Sequence, residues 1–255
     1  MLNLLKSEFL KIRKDRVALI GLIVVVSFVV VNLLITFALR GALEDFLGNI
    51  NGRAFFASTF SINDIGIIVP IFVALLISRE FTNGTIRNKI ICGHKRLHVY
   101  FSMFISSFLF GLLLITIASL INLLLGSLFF SFGGDYLTFS VSEIWNLLGI
   151  FAMGIFVYSV FITFAIFIAM IVKSSGLSVV FALVFPFVAI MIGAIGNAVN
   201  NQLITDIFSG VPGQVLQSLL HLETKVVLIG VFSTLGWTVL MLVFGNILFQ
   251  KNDLK

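Results

Sequence analysis

Six apolar stretches of this chain run free of Asp, Glu, Lys and Arg: Val17 to Leu39, Ile65 to Ser78, Val99 to Gly134, Ile144 to Val172, Ser174 to Thr205 and Val226 to Gln250. Crossing about 30 Å of hydrocarbon requires a backbone that satisfies its own N–H and C=O groups, which a helix achieves in about 20 apolar residues. Five of the stretches meet that length. The second is short: Ile65 to Ser78 reaches only roughly 21 Å as a helix before the charges of Asp64 and Arg79 interrupt it. With 60% hydrophobic and 11% charged residues, the chain has too little polar surface to cover a water-soluble core. It therefore reads as an integral membrane protein of the all-α class, with all 255 residues in a single membrane domain.

Charge placement decides whether the short stretch crosses. If it does, nearly all basic residues fall on one side: Lys6, Lys11, Arg13, Lys14 and Arg16 at the start, Arg79, Arg87, Lys89, Lys95 and Arg96 in one island, Lys173, and Lys251 with Lys255 at the end. Only Arg40, Arg53 and Lys225 lie opposite. If it does not cross, the bias collapses, so the positive-inside rule predicts six transmembrane helices with both termini in the cytoplasm. The net charge of +5 then marks sidedness rather than a nucleic-acid surface. The single Cys92 lies within the island, on the reducing side, and reads as a small filler residue. Residues 1–16 are too charged for a signal peptide, so the first span is expected to remain in the mature protein.

Within 1–16, Leu2, Leu5, Phe9 and Ile12 recur at spacings of three and four among basic residues. This predicts an amphipathic helix in the cytoplasmic headgroup layer, drawn to anionic membrane lipids and serving either as a topology anchor or as a working part. The outer loop 197–225 repeats the pattern twice, with Ile204, Ile207 and Phe208 before a break at Gly210, Pro212 and Gly213, then Val215, Leu216, Leu219 and Leu220. Two short outer helices before the last span are expected there. Pro70 and Pro186 each remove a backbone donor inside a span and are candidate kinks.

The island, in the cytoplasmic loop 79–98, contains "SREFTNGTIRNKIICGHKRLHVY". It reads as a short helix started by a Thr82 or Thr85 cap, with Gly84 allowing close approach and Gly93 supplying a left-handed stop. Its order of Glu80, Gly84-Thr85, Ile90-Ile91 and Arg96 resembles the cytoplasmic loop of type 2 ATP-binding-cassette (ABC) exporter permeases. The fuller string "EFTNGTIRNKIICGH" is similar to Gram-positive permeases that handle peptides, including toxin and bacteriocin-immunity exporters. It differs at Gly93, where many members have Pro, and at Met103, near a frequent Lys. The resemblance implies a coupling helix that docks on a separate cytoplasmic ATPase through Arg79, Glu80, Gly84, Thr85, Arg87, Asn88 and Arg96. It also implies a permease dimer, homo- or heteromeric, in a bacterial plasma membrane, with ATP and Mg held by the partner. In keeping with that, this chain has no G-x-x-x-x-G-K-[ST] phosphate loop and is not expected to be an enzyme.

Polar residues within spans mark candidate paths or helix contacts. Asn32 and Thr36 on the first span, Thr116, Ser119 and Asn122 on the third, and Ser159 and Thr163 on the fourth are the candidates here. Ala189 and Gly193 form a small-xxx-small pair suited to close packing, and the resemblance places the first and fifth spans near the dimer interface. No span carries a central charge, which disfavours a proton- or sodium-driven carrier. His94, His98 and His221 are isolated and no H-E-x-x-H occurs, so no metal or catalytic constellation is visible. The expected function is ATP-driven export of amphipathic peptides by alternating access. Drugs or lipids are the alternative cargo, and a motif-less channel or scaffold is the alternative class.

Overall fold

A computed structural model describes residues 2–39, 51–60, 65–130, 141–198 and 224–251. Every regular element among them is helical: α1 (Leu2–Lys14), α2 (Arg16–Ala38), α3 (Gly52–Ser58), α4 (Ile65–Thr82), α5 (Thr85–Ile91), α6 (Arg96–Phe130), α7 (Val141–Val172), α8 (Ser175–Ala198) and α9 (Thr224–Lys251). The long helices follow the uncharged stretches closely. Five segments are long and apolar enough to cross a membrane: Arg16–Ala38, Ile65–Thr82, Arg96–Phe130, Ile144–Val172 and Leu228–Lys251. In α8 the apolar segment among described side chains is Ser175–Ala189. The short outer helices expected within 197–225 lie outside the described residues, apart from the ends of α8 and α9.

The shortest span is the centre of the bundle. α4 packs against α2, α6, α7 and α8, and Val69, Val73, Ala74 and Ile77 are fully buried. Small residues on its neighbours let it sit close. A Cβ added to Gly21 of α2 would stand 2.9 Å from Phe72 Cγ, and one added to Gly111 of α6 would stand 3.1 Å from Val73 Cγ2. Lipid tails are as apolar as these side chains, so such close contact supplies the attraction between helices. α2 and α9 instead keep large apolar side chains exposed on the outside of the bundle, Ile23, Val31 and Ile35 on one and Phe232, Val239 and Phe244 on the other. Pro70 and Pro186 both sit buried inside their helices, where the carbonyls of Gly66 and Ala182 lose their usual donors.

The segment before α4 departs from a simple loop. α3 lies against α6 and α7, with Phe56, Thr59 and Phe60 buried. Gly52 allows this approach, since a Cβ there would fall 2.8 Å from both N and Cα of Ser127. Gly126 faces it, and the rings of Phe56, Phe60, Phe151 and Tyr158 pack edge to face or offset beside the contact.

Candidate functional site

The basic island forms a helical hairpin tip at the end of the bundle where α1 also lies. α4 continues to Thr82, and Gly84, with φ of 66°, reverses the chain into α5. Neither threonine caps α5. The Thr82 hydroxyl donates 3.0 Å back to the Ser78 carbonyl, and the Thr85 hydroxyl donates 3.0 Å to the Glu80 carbonyl, so both hydroxyls serve the end of α4. Gly84 is required for its left-handed backbone rather than for close approach, because an added Cβ would meet nothing within 4 Å. The far end follows expectation. Gly93 has φ of 86°, its N–H donates to the Ile90 carbonyl, and the His94 N–H donates to the Lys89 carbonyl, the paired bonds of a Schellman stop.

The inner side of this tip carries a buried ion network. Glu80 is 4% exposed and Glu8, from α1, is 2% exposed. Between them stands the Lys89 ammonium, 2.6 Å from Glu80 Oε2 and paired directly with Glu8. Lys11 Nζ lies 2.8 Å from Glu80 Oε1. Two carboxylates and two ammonium groups thus neutralise one another out of water, the condition under which buried charge is tolerated. Arg79 adds a link 3.1 Å from Asp15 Oδ1, the same oxygen that accepts the Val17 N–H and caps α2. Burial and the neighbouring Glu80 carboxylate push the Glu8 carboxyl above its ordinary range, against the pull of Lys89 and Lys11.

The expected coupling residues therefore divide into two sets. Glu80 faces inward and ties α1 and α5 to α4, while the partly exposed Arg79 ties α4 to the Asp15 cap of α2. Arg96 donates 2.8 Å to the Gln250 carbonyl, placing a cation on the last carbonyls of α9, and nearby Tyr100 donates to the Leu242 carbonyl across Gly245. Arg87 and Asn88 remain exposed, joined by Ile91 at 71% exposure and by Cys92, His94 and Lys95. The apolar Ile90 and Ile86 face the core side, so Ile91 stands alone as a large apolar group on the outer face of α5.

Of the candidate path residues, two converge. Asn32 of α2 and Asn122 of α6 line one small cavity with Phe28, Val29, Phe55, Ser58 and Ile65. It leaves about 10 Å³ open to the centre of a water molecule, room for about one water. Asn122 Nδ2 also donates 2.8 Å to the buried hydroxyl of Thr59. The others turn to their own helices: Thr36 to Asn32 O, Thr116 to Leu112 O, Ser119 to Thr116 O, Ser159 to Phe156 O and Thr163 to Ser159 O. Ala189 is 4% exposed and packs within its own chain, while the surroundings of Gly193 lie outside the described residues.

Sequence reasoning missed Glu8, Lys11, Ser58 and Thr59. Glu8 had a signal: it sits four residues after Leu4 on the face of α1 that turns to the bundle, where a surface helix would place apolar residues. The family model described as ABC-2 family transporter protein matches residues 4–189. That range takes in α1 from Leu4 onward, the island and the Asn32–Asn122 cavity. No curated protein matches the chain.

Proposed function

The chain belongs to the ABC-2 transporter family, whose members are membrane-spanning transport subunits that work with an ATPase, and from that premise we propose that it is the permease of an ATP-driven peptide exporter. In this reading six helices cross a bacterial plasma membrane, α8 being the sixth, with both termini in the cytoplasm. Two permeases pair. Each presents its α5 tip to a separate subunit that holds ATP and Mg and performs the hydrolysis. Alternating access of the paired bundles moves amphipathic peptides outward.

The observation that carries the proposal is the division of the island into a locked inner side and a free outer side. Glu80 and Lys89 fix α5 to α1 and α4, so a push on the tip is not absorbed by a loose loop. Arg87, Asn88 and Ile91 project away from that anchorage. An apolar side chain ringed by polar ones suits a protein partner's pocket better than open water. The spans contain no charge at their centres, which suits an amphipathic cargo over a small ion.

The test is ATPase activity of the complex reconstituted with its ATPase, stimulated by a panel of amphipathic peptides. Wild-type protein should respond to members of the panel, and the double variant Arg87→Glu with Ile91→Asp should lose about 30-fold of that response while inserting normally, the size expected when a central interface contact worth about 2 kcal/mol is removed. A fully responsive double variant contradicts the docking face. A wild-type complex that ignores every peptide but answers drugs or lipids contradicts the cargo.

A further inference from the structure

α1 has two faces of opposite character. Leu4, Glu8 and Lys11 form the inner one: Leu4 and Glu8 are buried, and Lys11 reaches Glu80. The outer one carries Lys6, Phe9, Leu10, Arg13 and Lys14, all exposed and all within one stripe at helical spacings of three and four. This is not the stripe the sequence pattern favours, because Ile12 packs on the bundle and Leu10 takes an outward place. Lys6, Arg13 and Lys14 have no ion pair among the described residues, and the one acid of α1, Glu8, is used on the inner face.

Two large apolar side chains flanked by three uncompensated cations are poorly matched to water. They match a bilayer interface, where Phe9 and Leu10 enter the acyl boundary and the cationic heads reach phosphate. The stripe also sits at the right height, because Asp15 alone separates α1 from the membrane-crossing α2. We infer that the outer face of α1 binds anionic phospholipid headgroups and that Glu8 and Lys11 pass this occupancy to α5, so that anionic lipid sets how strongly the complex responds to its ATPase. A lipid that fixes the height of α1 fixes the two side chains that hold Lys89 and Glu80. The binding half stands on the geometry of α1 alone; the regulatory half rests on the proposed function.

The experiment uses the full chain with its ATPase in nanodiscs of phosphatidylcholine, with and without about one third phosphatidylglycerol. Lipid retention is read by native mass spectrometry, and ATPase rate on the same samples. The neutral variant K6Q/R13Q/K14Q should lose phosphatidylglycerol retention by about fivefold per charge removed. The charge-preserving variant K6R/R13K/K14R should keep it. Glu8→Gln should retain the lipid yet lose the stimulation of ATPase by phosphatidylglycerol. Wild-type retention by the neutral variant overturns the site, as does equal loss in the charge-preserving one. Displacement of the lipid by millimolar inorganic phosphate overturns a headgroup bound together with its acyl chains. Full lipid stimulation of Glu8→Gln overturns the relay. Absence of ATPase in every lipid strikes the proposed function instead and leaves the retention result to judge the binding.

Discussion

Glu8 and Glu80 stand on either side of one ammonium, and this arrangement has a pH signature. Because burial and Glu80 raise the Glu8 carboxyl above its ordinary value, the folded chain holds that proton more tightly than the unfolded chain does. The contribution of Glu8 to stability is therefore complete below the ordinary carboxylate value of 4.5 and is lost as pH rises through the raised folded value. Wild type should lose thermal stability relative to Glu8→Gln over that rise; a constant difference across it contradicts the burial argument. The pairing itself was not legible in the sequence. Glu8 and Glu80 each lie among basic residues in segments that read as exposed, and only the packing of α1 against α6 and α2, with Lys89 reaching across from α5, removes them from water. Gly93 was legible because a left-handed stop has one favoured residue, whereas the threonines had two competing uses for each hydroxyl.

At the level of elements, α3 and α4 show opposite limits of pattern reading. α4 looked too short to cross, yet the distribution of Lys and Arg required it, and its position explains how a short segment suffices: four long helices, α2, α6, α7 and α8, pack against it. α3 gave no periodic signal, since a helix spanning Gly52–Ser58 is too brief to show one and Arg53 marks it as polar. What holds it is contact that no single segment reveals, Gly52 against Ser127 and Thr59 against Asn122. Gly52→Val should cost about 1–3 kcal/mol, because the backbone of α6 cannot yield as the end of a side chain would. Gly236→Ala, whose added methyl meets nothing within 4 Å, should leave the melting temperature unchanged or slightly raised. Equal losses in thermal unfolding of the two variants would show that α3 is not held by this contact.

Across the whole molecule, the network, the α5 tip, the cap of α2 and the last carbonyls of α9 gather at one end of the bundle. The opposite end holds α3 and the small Asn32–Asn122 cavity. Such a division suits a machine driven from one side and opened at the other, provided that the basic end faces the cytosol. Cys92 tests that directly, since it is exposed at the tip and is the only cysteine in the chain. A membrane-impermeant maleimide should label the protein in sealed inverted vesicles and leave it unlabelled in intact cells. Labelling in intact cells with protection in inverted vesicles would contradict the account.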